Sequence, residues 1–287
     1  MIESRMLTSL QSVETARRRV WVLLALAGVM GVVTAFVPRV AQDPAYHNFA
    51  DTRAALGIPN FLNVVSNLPF LVVGALGLAF LARDARRGGG DAFASPAERR
   101  PYWPFFSGVA LTAVGSGYYH WQPSNDTLFW DRLPMTLAFM ALLASVIGER
   151  ISLRAGARLL WPLLLAGALS ALYWHITEQR GAGDLRPYGL VQFGTIILAP
   201  LILLLFPARY TGTPYYWLSF ACYGLAKVCE YFDRGILELT AVSGHTWKHL
   251  AAAASTYAIL CMLERRQPLA PPPGSLGRAE PVGDQLA

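Results

Sequence analysis

Ser243-Gly244-His245-Thr246-Trp247-Lys248-His249 opens an apolar run that continues to about residue 263, and its two imidazoles stand at i and i+4. On a helix that spacing is one face and one turn, which suits two ligands of a tetrahedral metal. Far upstream, Gly115-Ser116-Gly117-Tyr118-Tyr119-His120 closes another apolar run and offers a third imidazole, with Asp131 eleven residues later. Ser116 and His120 repeat the i, i+4 relation, so a hydroxyl and a ring nitrogen point at one spot. Three histidines leave one position of a tetrahedral ion open, and an open zinc position is where water ionises near neutral pH. Both stretches make chemical sense only as ends of apolar helices, so the reading of the fold starts from membrane spans.

Composition agrees. Of 287 residues, 54% are hydrophobic and 15% charged, far too apolar for a soluble domain with a polar surface. The net charge of +6 comes without a basic aromatic stripe. The arginines fall between apolar runs, a pattern of membrane topology rather than nucleic-acid binding. Cys222, Cys229 and Cys261 lie inside apolar segments without metal or disulfide spacing and read as packing residues. Residues Val20 to Val37 form an uncharged run worth roughly 27 Å of helix, which spans a bilayer and is long for a cleaved signal segment. Further spans are predicted at about 58–82, 102–121, 132–148, 159–176, 188–206, 214–232 and 246–263, each bounded by charge, Pro or Gly. The expected fold is therefore an all-α integral membrane protein with eight transmembrane helices.

Lysine and arginine are unevenly divided between alternate connections, sixteen on the side of both termini and six on the other, Arg39, Arg53, Arg132, Arg180, Arg186 and Arg234. The positive-inside rule then puts both termini in the cytoplasm. The linker Arg83 to Arg100, with Gly88-Gly89-Gly90, reads as a flexible cytoplasmic loop, and the tail with Pro271-Pro272-Pro273 as disordered. By this parity His120, Asp131 and His245 all arrive on the external side, and Ser116 and His249 lie one turn deeper, so a pocket dips into the outer leaflet. In a bacterial host that is the periplasmic side of the inner membrane.

The set Ser116-x3-His120-x10-Asp131, followed downstream by His245-x3-His249, resembles the signature of the alkaline ceramidases, within the superfamily that includes the adiponectin-receptor-like proteins. Asn60-Phe61-Leu62-Asn63-Val64-Val65-Ser66-Asn67 is similar to the segment that opens the family's first core helix, so the resemblance runs from about Ile58 to His249. It implies a seven-helix core over 58–264, preceded by an extra helix and external loop in 1–57 and followed by a cytoplasmic tail in 265–287. It also implies zinc on His120, His245 and His249, with Asp131 and Ser116 serving the chemistry: hydrolysis of the amide of ceramide or a related long-chain N-acyl lipid drawn from the bilayer. The other branch of the superfamily implies instead a lipid-sensing receptor with a structural or regulatory zinc. One departure concerns calcium. The family holds it through acidic residues before the first core helix, whereas here only Asp43 and Asp51 are present and Asn60 replaces a glutamate, which counts against a calcium ion.

Other residues are weighed separately. A lone histidine near a helix end is ordinarily interfacial or a cap, and His47 and His175 are read so. Asp131 also suits a helix N-cap, and Ser116 a bond to its own i−4 carbonyl. Lys227, Glu230 and Asp233 at spacing three, with Tyr173, Trp174, Glu178, Asp184 and Arg186, crowd the same side and are expected around the site. Tyr118, Tyr119, Trp121 and Trp130 read as an interfacial aromatic belt.

Overall fold

The computed structural model describes residues 2–90 and 92–269, and among these the chain is helical, with no strand. In chain order the α-helices are α1 (Ile2–Phe36), α2 (Phe61–Val65), α3 (Leu68–Arg86), α4 (Pro96–Arg99), α5 (Tyr102–Trp121), α6 (Asn125–Arg150), α7 (Leu153–Gln179), α8 (Arg186–Leu205), α9 (Thr213–Tyr231), α10 (Asp233–Thr240) and α11 (Gly244–Arg265). Among the described residues five segments are long and apolar enough to cross a membrane: Glu14–Phe36, Phe61–Arg86, Asn125–Arg150, Leu153–Gln179 and Arg186–Leu205. The protein is thus a helical membrane protein. Helices α5, α9 and α11 are 20, 19 and 22 residues long, but their apolarity is diluted by residues that face inward, among them Ser116, His120, Lys227, Glu230, His245 and His249.

The helices form a ring, α9 against α11, α11 against α3, then α5, α6 and α8 in turn, with α7 outside α6 and α8. The ring closes loosely, since α8 and α9 meet at few points. One of those is a hydrogen bond from Gln192 Nε2 to Tyr223 Oη of 2.6 Å. Helix α1 lies on the outside of α8, where Arg186 Nη1 donates to the terminal carbonyls of Ala35 and Val37 at 3.1 and 2.6 Å. Backbones approach closely where α5 crosses α6. A Cβ at Gly108 would stand 2.8 Å from Pro134 O, and one at Gly115 would collide with Trp130 O. In lipid, such small residues let dispersion and close packing hold helices that no hydrophobic effect pulls together.

Several boundaries differ from the expectation. The span predicted at 58–82 is broken after Val65, with Pro69 near the start of the second piece. Helix α6 starts not at 132 but at Asn125, because Ser124 and Thr127 form a reciprocal capping box, Oγ accepting from Thr127 N and Thr127 Oγ1 from Ser124 N, both at 3.1 Å. Asp131 therefore stands inside the helix and is not its cap. Arg132, expected in an external connection, is likewise inside α6 and buried. The linker after Arg83 is pinned: Arg99 pairs with Asp84 at 2.6 Å, Phe93 is buried, and Tyr210 Oη donates to Glu98. The tail begins in an ordered way, with Thr211 N donating to Gln267 O at 3.0 Å and Leu269 N to Arg209 O at 2.9 Å. The polyproline stretch and the rest of the tail, residues 270–287, lie outside the described residues. Cys222 and Cys229 are half-buried and Cys261 is buried, all as free thiols.

Candidate metal centre

Each histidine of the cluster is set by its own local device. His120 occupies the last turn of α5, and the carbonyl that the helix end would leave open accepts from Asn60 Nδ2 at 2.8 Å. His245 and His249 open α11, whose first N–H groups are capped twice. Ser243 Oγ accepts from Thr246 N at 3.0 Å and Asp233 Oδ1 from His245 N at 2.8 Å. With both ends fixed, the three rings meet, their centroids 4.7 to 4.8 Å apart. Phe49 covers His120 and His245 at 4.6 and 5.0 Å.

The three imidazoles are buried, and one nitrogen of each lies within 4.8 Å of the others. Nε2 of His120 and Nε2 of His245 are 3.2 Å apart. Two nitrogens roughly 2.0–2.1 Å from one tetrahedral ion stand about 3.3 Å apart, so this pair already has ligand spacing. His249 turns its Nδ1 to Ser66 Oγ at 2.7 Å, which fixes the ring and leaves Nε2 for an ion, the usual outer partner of a metal-binding histidine. The cluster fits a divalent metal.

Ser116, Asp131 and His249 line a cavity of about 460 Å³ inside the ring, whose deeper wall is apolar and includes Phe105, Val109, Phe139 and Leu142. Ser116 on α5 and Asp131 on α6 share this wall beside the close crossing at Gly115, where an added Cβ would stand 3.1 Å from Asp131 N. Lys248 joins the same wall and pairs with Glu230 at 2.6 Å, a carboxylate that Lys227 also holds at 2.7 Å. Thus His120, His245 and His249 come together as one cluster, and Ser116 and Asp131 share a cavity wall with His249.

Other expected residues act at one remove. Asp233 caps α11 and also accepts from Ala50 N at 3.0 Å, so it orients the histidine helix from outside the cluster. Trp174 stacks on Arg132 at 4.3 Å. Glu178 accepts from Gln42 N and Asn125 Nδ2, both at 3.3 Å. Arg186 holds Asp184 with two bonds of 2.7 Å, which keeps that carboxyl below the usual carboxylate range, and Tyr173 Oη donates to it at 3.1 Å. His47 lies apart from the metal cluster, with its ring nitrogens on Tyr119 Oη and Asn125 Oδ1, both at 2.9 Å. His175 stacks on Phe129 at 4.6 Å. Tyr118, Trp121 and Trp130 are exposed as a belt would be, but Tyr119 is buried. Of the two acidic residues weighed for calcium, Asp43 caps a turn through Ala45 N at 2.8 Å and Asp51 is held by Arg53 at 2.6 and 2.8 Å.

The polar residues of the stretch Asn60 to Asn67 have a task that their sequence does not reveal. Asn60, Asn63 and Ser66 stand at spacing three along α2 and its two caps, and they hold both histidine-bearing helices, α5 and α11. Asn60 bonds His120 O, Ser66 bonds His249, and Asn63 Oδ1 accepts from Ser243 Oγ and Thr246 Oγ1 at 3.2 and 3.0 Å. Phe49 and the aromatic surroundings of Arg132 left no periodic signal. No protein-family model matches the chain, and no curated protein matches it.

Proposed function

We propose that this protein is a membrane-embedded zinc amidohydrolase acting on ceramide or a related long-chain N-acyl lipid, as the alkaline ceramidases are. The observation that carries the reading is a buried three-histidine cluster whose His249 shares, with the Asp131 carboxylate and the Ser116 hydroxyl, the wall of a cavity that also has an apolar part. Alkyl chains fit the apolar part while a linking amide meets the polar end. A divalent metal on His120, His245 and His249 supplies Lewis acidity and acidifies water. Asp131 accepts the proton of the attacking water at a carboxylate oxygen and returns it to the leaving nitrogen, the work of a general base and then acid. Ser116 donates its hydroxyl proton in a hydrogen bond to the carbonyl oxygen as negative charge develops there. Phe49 excludes water from the outer face of the rings.

The same reading counts eight spans, takes α5, α9 and α11 as membrane-crossing despite their polar inner faces, and sets both termini in the cytoplasm by the arginine asymmetry. With the native thiols removed, a cysteine at Asp126 should then react with an impermeant reagent from outside and one at Arg87 only after permeabilisation; the opposite pattern inverts the topology. The decisive test of function is release of fatty acid from labelled long-chain amides by purified protein. Asp131→Asn should keep its metal and lose about 10²–10⁴-fold in rate. If metal-loaded wild type releases no more fatty acid than Asp131→Asn from any long-chain amide, the hydrolase reading fails and a lipid-sensing role with a structural metal replaces it.

A further inference from the structure

Arg132 follows Asp131 on α6 and lines the same cavity. It is 7% exposed. Its guanidinium lies against three aromatic rings, Tyr46 at 5.7 Å, Trp174 at 4.3 Å and Tyr188 at 4.9 Å. Nη2 donates to the neutral amide oxygen of Gln42 at 2.6 Å, while Nη1 has no partner among the described residues. None of the ion pairs among the described residues includes Arg132. The neighbouring cations on the cavity wall are engaged, Arg186 by Asp184 and the two lysines by Glu230.

The chain itself shows how such a site looks when complete. Arg266, at the other end of the bundle, is also buried among three rings, Phe93, Tyr102 and Tyr210 at 4.8, 5.7 and 4.2 Å. It differs in meeting a carboxylate, Glu149 Oε2, at 3.0 Å. A buried guanidinium without an anion is costly, because ring faces and one amide recover only part of its lost hydration.

We propose that Arg132 is the counter-ion for an anionic head group, a carboxylate or phosphate, on the long-chain N-acyl lipid that the cavity takes. The planar fork binds either anion through paired hydrogen bonds. Because Arg132 adjoins Asp131 on the wall, an anion a few bonds from the amide is held while the amide faces Asp131. This names the substrate class within the proposed function: acidic N-acyl lipids over neutral ones of equal chain length. It rests on the cavity as a lipid site and not on hydrolysis.

The test measures binding and hydrolysis by the full-length protein in detergent micelles, using N-palmitoylglycine, N-palmitoylethanolamine and excess inorganic phosphate. Wild type should bind the acid about ten- to a hundredfold more tightly than the neutral amide. Arg132→Gln should erase that preference, and Arg132→Lys should restore part of it. Phosphate alone should not compete. Equal binding of the two amides by wild type overturns the proposal, and this comparison needs no folded variant. Competition by phosphate without a tail assigns the guanidinium to a free anion and also overturns it. An Arg132-dependent preference without any fatty-acid release supports the inference while removing the hydrolase reading. Hydrolysis of both amides with no preference does the reverse.

Discussion

The two ends of the helices α5, α6 and α11 carry polar clusters of similar make-up, put to different uses. At the end opposite the histidines, Glu149 is held by Arg150 and Arg266, both at 3.0 Å, and accepts from Tyr216 Oη at 3.1 Å. Arg266 Nε also donates to Ala92 O at 2.6 Å, and Arg150 Nη2 to Thr213 Oγ1 at 2.6 Å. The space left there is about 10 Å³, room for roughly one water molecule. At the histidine end Arg132, which has an unpartnered Nη1 and no ion pair among the described residues, lines a cavity of about 460 Å³. Paired charge in a filled volume fastens helices and the start of the tail. A buried cation without an ion pair on the wall of an open volume is placed to meet an anion from outside the chain. The distinction lies in pairing and space, not in composition or burial.

The largest effect that sharpens this contrast is on metal content. We expect about one divalent ion per chain, lost in His245→Ala and in His249→Ala and strongly reduced in His120→Ala, by elemental analysis of purified protein. His175→Ala, whose ring stacks on Phe129 at 4.6 Å away from the cluster, should keep the full amount. Unchanged metal in the three cluster variants would put any ion elsewhere and leave the histidines as a packed core.

How much of this was readable from sequence depends on whether a residue acts through local spacing. His245 and His249 share a helix face at i, i+4, and their apolar sequel marked a helix, so the shared face was legible. Arg132 was misplaced because the capping box at Ser124 starts α6 seven residues earlier than hydropathy alone suggests. Its three rings come from residues 46, 174 and 188, and no periodicity joins segments so far apart. Tyr119 looked like belt, yet His47 draws its hydroxyl inward, a contact across 72 positions of chain. The glycine linker looked flexible, but Arg99 and Tyr210 tie it down through Asp84 and Glu98, and sequence composition says nothing of such partners.

The next effect sets one end against the other directly. Glu149→Gln leaves Arg150 and Arg266 buried without a carboxylate, which should cost about 3–5 kcal/mol. Arg132→Met removes a buried charge that has no carboxylate and should cost much less, as a near volume-conserving change that also relieves desolvation. Reversible unfolding in mixed micelles measures both, and metal content should stay at wild-type level in Glu149→Gln. A cost for Arg132→Met equal to that of Glu149→Gln would show Arg132 to be already satisfied, and the contrast between the ends would collapse.

The smallest effect concerns the loop that lays Phe49 over the histidines. Asp51 closes that loop: its carboxylate takes two bonds from Arg53, at 2.8 and 2.6 Å, while Arg53 Nη2 also donates to Ala241 O at 2.7 Å just before α11. The hydrogen bonds from Arg53 outweigh the opposing effect of burial and hold the Asp51 carboxyl below its ordinary range. A carboxyl depressed in the folded state adds stability that is fully present above its unfolded value of about 3.9 and fades as pH falls through the folded value. Wild type should therefore lose stability on acidification below about pH 4 more steeply than Asp51→Asn, which has no such proton to gain. The difference should be small, since Arg53 is largely exposed and water screens an ion pair with such a partner. Thermal unfolding of the two proteins across that interval measures it. Parallel curves would mean that the pair does not fasten the loop, and that Phe49 is held over the rings by its packing against Tyr119, His120 and His245 alone.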